Sequence, residues 1–115
     1  MGKVDLQKIM KMAIYFLTCK DNFEAEKISK VLLKKHLIAC VKMFPVESNF
    51  WWKNHIDKAR EVVVMFESIE ENFDKIEKQV KKLSSYETYI LFSIPVSKTT
   101  KGVGKWLKKE LKLIS

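Results

Sequence analysis

Cys19 is the side chain best placed for chemistry in this sequence. It ends an apolar run at residues 9–19, and Asp21, two positions later, is a typical helix N-cap. A thiol between a strand and a helix start meets the positive end of the helix dipole, which stabilises a thiolate. Thiolates are nucleophiles and ligands for soft metals, so Cys19 is a candidate metal ligand, and an enzyme that uses Cys19 is a further alternative. Cys19 and Cys40 also suit the alternative of buried free thiols, because both occupy apolar, strand-like positions.

No other residues have the spacing of a catalytic or metal site. His36 and His55 are far apart, and neither has a carboxylate or thiol at metal-ligand spacing. Gly102 and Gly104 precede a predicted helix but lack the fingerprint of a nucleotide-binding loop. We therefore expect a protein without enzymatic activity.

Phe50, Trp51 and Trp52 form an aromatic triplet that a single small sheet cannot cover. Successive strand side chains point to opposite faces, so Trp51 is expected to lie against the core while Phe50 and Trp52 face away from it. Uncovered rings of this size need a partner, either another subunit or a ligand. The alternative is that a helix of the same chain shields them.

The length and composition predict a single domain at residues 1–115. The 115 residues are 47% hydrophobic and include only three Gly and two Pro, which gives enough core for one domain and no linker. Residues 1–8 are expected to be a flexible extension. No apolar stretch has the length of a membrane span, and no signal-peptide cleavage site follows residues 1–20. Free cysteines favour a reducing compartment, so a cytoplasmic protein is expected.

The formal charge of +8 is concentrated at the C-terminal end. Residues 98–115 contain one acid, Glu110, and six lysines: Lys98, Lys101, Lys105, Lys108, Lys109 and Lys112. Such a segment attracts polyanions, so a basic module for nucleic acid or another polyanion is the alternative function. The interpretation that we favour is the solvated face of an amphipathic helix, whose other face carries Trp106, Leu107, Leu111 and Ile114.

Hydrophobic periodicity predicts alternating strands and helices. The predicted elements are a strand at 9–19, a helix capped by Asp21 and Glu24, a strand at 38–46, a turn at 47–49, a hairpin arm at 50–56, a connection at 57–60, a strand at 62–66, a helix opened by Ser68 and Glu71, a strand at 88–96 and a basic helix. This order is typical of an α+β, ferredoxin-like fold. Two split βαβ units form one antiparallel sheet with both main helices on one face, and an extra C-terminal helix follows. The strand at 62–66 is apolar on both faces, so the face without helices also needs a partner.

RNA-recognition domains share this order of elements. Their central strand carries a basic, Gly-containing octamer with stacking aromatic rings, whereas residues 61–67 have neither glycine nor a basic residue and place aliphatic side chains there. This difference argues against nucleic acid as the partner.

Motifs between about residue 14 and residue 111 resemble the CutA family of divalent-cation tolerance proteins. They are Thr18-Cys19-x-Asp21, Leu37-Ile38-Ala39-Cys40-Val41, Phe50-Trp51-Trp52, Ile56 with Glu61-Val62, Ser85-Tyr86-Glu87, Pro95-Val96 and Trp106-Leu107. The resemblance implies a ferredoxin-like subunit, similar to that of PII signalling proteins, which assembles as a homotrimer. It also implies a non-enzymatic protein that binds copper or another divalent cation and takes part in metal tolerance.

The resemblance further implies where ligands and subunits meet. Clefts between subunits would bind a small ligand or metal ion, and the cleft residues would be Trp52, Tyr86, Glu87, Thr18 and Asp21. The hairpin that carries Phe50, Trp51 and Trp52 would reach a neighbouring subunit. A second interpretation is that Trp52 and Tyr86 only pack the trimer.

Three departures from the family pattern bear on metal binding. The His that the family has before its last strand is replaced by Ser84-Ser85. A Cys ligand of bacterial members falls at Leu17, and the acidic-Gly pair after the Trp residues is Lys53-Asn54. The best-known metal ligands of the family are therefore missing, and Cys19 remains as the candidate.

Overall fold

An antiparallel sheet and the helices that pack on it make up the fold. The structure, a computed structural model, describes residues 10–113. Within them the strands are β1 (Met12–Cys19), β2 (Cys40–Trp52), β3 (His55–Ile69) and β4 (Leu91–Pro95). The helices are α1 (Asn22–Lys34), α2 (Phe73–Leu83), which follows a 3₁₀ turn at Glu70–Asn72, and α3 (Val103–Glu110). The sheet order is β2-β3-β1-β4 with every pair antiparallel, which confirms the ferredoxin-like arrangement. The extension predicted at residues 1–8 lies outside the described residues.

The core lies between the sheet and helices α1 and α2. Strand β1 alternates strictly, and its buried side chains are Ala13, Tyr15, Leu17 and Cys19. The two helices contribute Ile28, Leu32, Ile76 and Val80 to the same buried cluster. Both main helices therefore cover one face of the sheet, as the sequence predicts.

Tyr15 joins this core to the end of β3. Its ring stacks on Phe66 at 5.1 Å between centroids and on Phe73 at 5.9 Å. Its hydroxyl donates a buried hydrogen bond of 2.7 Å to the carbonyl oxygen of Ile69. Burial, together with the nearby carboxylates of Glu70 and its neighbours, raises the pKa of the Tyr15 hydroxyl far above its usual range, so this hydroxyl remains a donor.

Helix α3 packs at one end of the sheet through its apolar side. Leu107 and Leu111 are buried against Ile69, and Met12 packs on the same small cluster. Met12 and Ile69 are paired across β1 and β3, and Met12 lies on the opposite face of β1 from Ala13. Lys105 and Lys109 of α3 are exposed, which agrees with the amphipathic interpretation favoured from the sequence, but the expectation that Trp106 turns inward is wrong, because Trp106 is 39% exposed. Ile114 lies outside the described residues.

The hairpin between β2 and β3 is longer than predicted. The turn expected at residues 47–49 and the connection expected at residues 57–60 are wrong, because both segments are continuous strand from the Cys40–Glu67 pair to the Trp52–His55 pair. The chain reverses instead at Lys53 and Asn54, whose φ angles are 47° and 69°. Positive φ at both positions of a two-residue turn is the geometry that fits the twist of a hairpin. The prediction was wrong because polar residues in the middle of the strands resemble the residues of a turn.

The start of α2 also differs from the prediction. Ser68 was expected to cap the helix with Glu71, but Ser68 is the penultimate residue of β3. Its hydroxyl donates to the carbonyl oxygen of Leu37 at 2.6 Å, and no side chain caps the 3₁₀ turn or α2. Ser68 therefore serves to satisfy the carbonyl oxygen of Leu37, which lies in the loop after α1.

The sheet face opposite α1 and α2, which we call the outer face, is apolar and only partly covered. Away from the end that α3 covers, its apolar residues include Ile14, Phe16, Phe44, Val63, Met65, Phe92 and Ile94. The rings of Phe16 and Phe92 lie 5.4 Å apart between centroids, and the exposed fractions of Phe92 and Ile94 are 45% and 48%. This agrees with the predicted apolar second face, although within one chain these side chains are half-exposed rather than buried.

The aromatic triplet does not pack against the core. Trp51 is 73% exposed, so the expectation that it lies against the core is wrong. The reason is geometric: β1 pairs with residues 62–69 of β3, and within residues 10–113 no third strand lies beside the rest of the hairpin. The described residues consequently extend over 57 × 26 × 24 Å.

We predict that Tyr15→Phe destabilises the fold. The substitution keeps both ring stacks but leaves the buried carbonyl oxygen of Ile69 without its donor, which costs about 1–3 kcal/mol. Chemical unfolding at a fixed protein concentration measures the change. Tyr89→Phe is the matched control, because the Tyr89 hydroxyl bonds to Glu77 near the surface. Equal unfolding midpoints for the two variants would contradict the prediction.

Candidate functional site

The free end of the hairpin and the segment before β4 enclose a cavity of about 850 Å³. This volume is within the range of small-molecule sites in proteins. The lining residues are Thr18, Glu47, Ser48, Asn49, Phe50, Trp51, Trp52, Asp57, Glu61, Ser85, Tyr86, Glu87, Thr88 and Ile90. The cavity therefore lies beside the outer face, where the sheet narrows to two strands.

The structure brings most of the predicted cleft residues to this cavity. Thr18, Trp52, Tyr86 and Glu87 all line it. They come from three separate places: the end of β1, the tip of β2 and the segment before β4. Phe50 and Trp51, predicted as subunit contacts, line it as well.

Asp21 and Cys19 do not line the cavity. Asp21 is the N-cap of α1, and its Oδ1 accepts a hydrogen bond of 2.9 Å from the backbone N–H of Glu24, as predicted. Cys19 is 0% exposed, and burial with the charges of Glu24 and Asp21 raises the pKa of its thiol to about 12. Burial thus raises the pKa of the thiol by more than the helix dipole lowers it. Cys19 therefore fits the alternative interpretation, a buried free thiol.

The described residues contain no ready-made metal site. Among residues 10–113, no three His, Cys, Asp or Glu side chains are grouped so that they could hold a metal ion. A carboxylate cluster or a His–Cys set with converging atoms would be needed for tight binding.

A hydrogen bond between Tyr86 and Glu61 fixes one wall of the cavity. The Tyr86 hydroxyl donates to Oε2 of Glu61 at 2.5 Å. Burial and the hydrogen bond to Glu61 raise the pKa of Tyr86 well above its usual range, so the Tyr86 hydroxyl remains the donor in this pair. Sequence reasoning missed Glu61 as a site residue, because it enters the sequence analysis only as part of the motif Glu61-Val62.

Glu24 holds the same wall from inside the molecule. Its side chain is buried, and its two oxygens accept backbone N–H groups of Lys20 at 3.0 Å and Ser85 at 2.7 Å. Burial alone would raise the pKa of Glu24, but the hydrogen bonds from Ser85 and Lys20 hold the pKa below its ordinary value. The helix start predicted from Asp21 and Glu24 is therefore also the anchor of the segment before β4.

The cavity and the rest of the chain differ in charge. Its lining includes four carboxylates, of Glu47, Asp57, Glu61 and Glu87, and none of its lining residues is Lys, Arg or His. The lysines of α3 lie elsewhere, with Leu107 and Leu111 beneath them in the sheet-end cluster. Within residues 10–113, no helix is long and apolar enough to cross a membrane.

We predict that Glu24→Gln destabilises the protein near neutral pH and changes how its stability depends on pH. The folded pKa of Glu24 lies below its ordinary value of about 4.5, so its stabilisation is complete above that pH and is lost as the pH falls through the folded pKa. Free energies of unfolding measured from pH 7 to pH 3 would show this acid-dependent loss in the parent chain and less of it in Glu24→Gln. Glu26→Gln is the control, because Glu26 is exposed on α1. The same pH profile for all three chains would contradict the role of Glu24.

Comparisons with known proteins agree on one family. The family model of the CutA1 divalent ion tolerance protein matches residues 13–110. The divalent-cation tolerance protein CutA of Archaeoglobus fulgidus is 36% identical over 92 residues, which are 80% of this chain and 90% of that protein. The protein of the same name from Thermotoga maritima is 30% identical over 100 residues, covering 87% and 99%.

Solved structures of the same family have the same fold. The structure of the A. fulgidus CutA, described as periplasmic, superimposes with a TM-score of 0.85 at 33% identity and covers 87% of this chain and 98% of that one. CutA1 from Pyrococcus horikoshii gives a TM-score of 0.81 at 28% identity, covering 85% and 96%. The match extends over nearly all of the described residues, and this chain belongs to the CutA1 family of divalent ion tolerance proteins.

Proposed function

We propose that this chain is a non-enzymatic, homotrimeric divalent-cation tolerance protein whose cavity binds a small ligand or metal ion between subunits. Family membership supports the tolerance function, because relatives are named for it. The observation that carries the rest is the position of the cavity, which lies between a projecting aromatic hairpin and an uncovered apolar face.

Assembly would supply the partner that the outer face lacks. Contiguous exposed apolar surface of this kind is typical of an interface with another chain. The edge strands β2 and β4 also leave backbone groups free for pairing, and the hairpin projects far enough to reach a neighbour. The number three comes from the resemblance to CutA proteins. The exposed Phe50, Trp51 and Trp52 would then contact the next subunit.

We predict a mass of three chains at micromolar concentration. Replacing both Phe92 and Ile94 by Lys places charges on the outer face and is expected to reduce the mass to that of one chain, because charges at a dry interface lose hydration without gaining partners. Light scattering after size-exclusion chromatography measures the mass.

Phe23→Lys is the matched control for this experiment. Phe23 is 78% exposed on α1, on the other side of the sheet, so its replacement should leave the mass unchanged. A stable, well-behaved monomer of the parent chain would contradict the assembly.

A divalent metal ion at this site would be a bound ligand of the protein rather than its resident cofactor. Copper prefers nitrogen and sulfur ligands, whereas the charged groups of the cavity are carboxylates, and Cys19 is closed off within the chain. Residues 10–113 of one chain thus offer oxygen ligands that do not converge. We infer that copper or zinc binding is weak unless a neighbouring subunit adds ligands.

We predict that calorimetric titration with copper(II) or zinc finds at most weak binding at micromolar protein. The physical reason is the replacement of the family His by Ser84-Ser85 and the burial of the Cys19 thiol. Cys19→Ser and His55→Ala are the comparison variants. Tight binding that survives both substitutions would show that the metal site lies elsewhere.

The ligand could also control a further partner. A molecule held between subunits contacts two chains and stabilises the arrangement that binds it best, which is how we envisage PII-like signalling here. The two free cysteines, Cys19 and Cys40, support a reducing, cytoplasmic location.

Polyanion binding through α3 is the competing function. Its support is the charge of exposed lysines such as Lys105 and Lys109, which also serve as the solvated face of a docked helix. Charge without a groove or a stacking surface is weaker support than a formed cavity, so we prefer the cavity.

A further inference from the structure

We propose that the cavity binds an organic cation with several ammonium groups, of the linear polyamine class. This inference deepens the proposed function, and it takes from that function only the assignment of the cavity as the ligand site. It commits to the chemical class of the ligand, which the family assignment leaves open.

The charge of the cavity selects a cation. Four carboxylates line it without a basic side chain, in a chain of net charge +8. Two of them have distant basic neighbours: Oε1 of Glu47 lies 4.0 Å from Nε of Arg60, and Oδ2 of Asp57 lies 3.9 Å from Nε2 of His55. No ion pair of residues 10–113 involves Glu61 or Glu87. Their charges remain available to a ligand.

Aromatic rings on the same wall select an organic cation. Paired residues of an antiparallel ladder share a face, and Phe50 pairs with Asp57 while Trp52 pairs with His55. Phe50, Trp52, Asp57 and Glu61 therefore lie on one face of the hairpin. An ammonium group over a Trp ring is attracted by the ring's electrons, and an alkyl chain packs on the same ring.

Trp52 already interacts with an ammonium group. Nζ of Lys53 lies 5.9 Å from the centroid of the Trp52 ring, within the range of a cation–π contact. Trp52 remains 48% exposed. A side chain of the protein thus provides a local example of the interaction that we assign to the ligand.

The spacing of the carboxylates favours a long ligand over a single ion. Asp57 and Glu61 are four residues apart on one strand, which corresponds to roughly 13 Å between their Cα atoms. A bare divalent ion needs several oxygens at one point, and no such group exists in the described part of the chain. Ammonium groups along a flexible alkyl chain can each meet a separate carboxylate instead.

Spermidine is the probe, titrated by calorimetry and by tryptophan fluorescence at low salt. We expect binding to the parent chain and an association constant about tenfold lower for Glu61→Gln, which keeps an acceptor for the Tyr86 hydroxyl but removes the charge. Trp52→Leu should weaken binding by about the same factor. The matched controls are Glu26→Gln and Trp106→Leu, an exposed acid and a partly exposed Trp outside the cavity, and neither should change binding.

Magnesium chloride, titrated at the same concentration of positive charge, distinguishes binding at a defined site from general electrostatic attraction of cations to the protein. Spermidine that binds no better than magnesium, or that binds Glu61→Gln as well as Glu26→Gln, would overturn the proposal. The mass of each variant is measured in the same buffer. A trimer that ignores spermidine would overturn this inference alone, and a monomer that binds it in the expected manner would overturn the assembly alone.

Discussion

The structure depends on a four-stranded sheet that is apolar on both faces. In the described residues, the two long helices α1 and α2 cover only one of these faces. Burial of apolar area is worth about 25 cal/mol per Å², so half-exposed side chains such as Phe92 and Ile94 represent stabilisation that the single chain does not obtain. The short helix α3 covers one end of this face through Leu107. The remaining surface is continuous with the projecting hairpin, and this continuity places the cavity beside it.

Two carboxylates fix the segment before β4, which forms one wall of the cavity. Glu24 accepts the N–H of Ser85 from inside, and Glu61 accepts the hydroxyl of Tyr86 from the sheet. Consecutive residues are thus held by two different elements, α1 and β3. A loop anchored on both sides loses less entropy when a ligand binds than a free loop would.

Periodicity was sufficient to predict the sheet and its helices, because β1 and α2 have regular buried positions such as Tyr15 and Ile76. The hairpin was mispredicted because Lys53-Asn54 lacks the glycine that marks most tight turns, while Ser48 and Asn49 resemble a turn in sequence. That error also hid part of the site. Asp57 and Glu61 share a face only if residues 55–69 are read as one strand, and the contact of Glu24 with Ser85 joins residues 61 positions apart. Long-range pairing of this kind has no local signal.

A cation must approach this cavity against the net charge of the chain. Lysines on the helices give a positive field at long range, but at physiological salt that field is screened beyond about 8 Å, whereas charges inside a partly enclosed cavity are screened much less. Long-range steering is therefore of little help to a cationic ligand, and affinity has to come from short-range contacts with Trp52, Tyr86 and the neighbouring carboxylates. Such contacts discriminate by shape and by the distance between charges. A metal ion offers only its charge and its coordination geometry to this cavity, while an extended organic cation can use both the rings and the separated carboxylates.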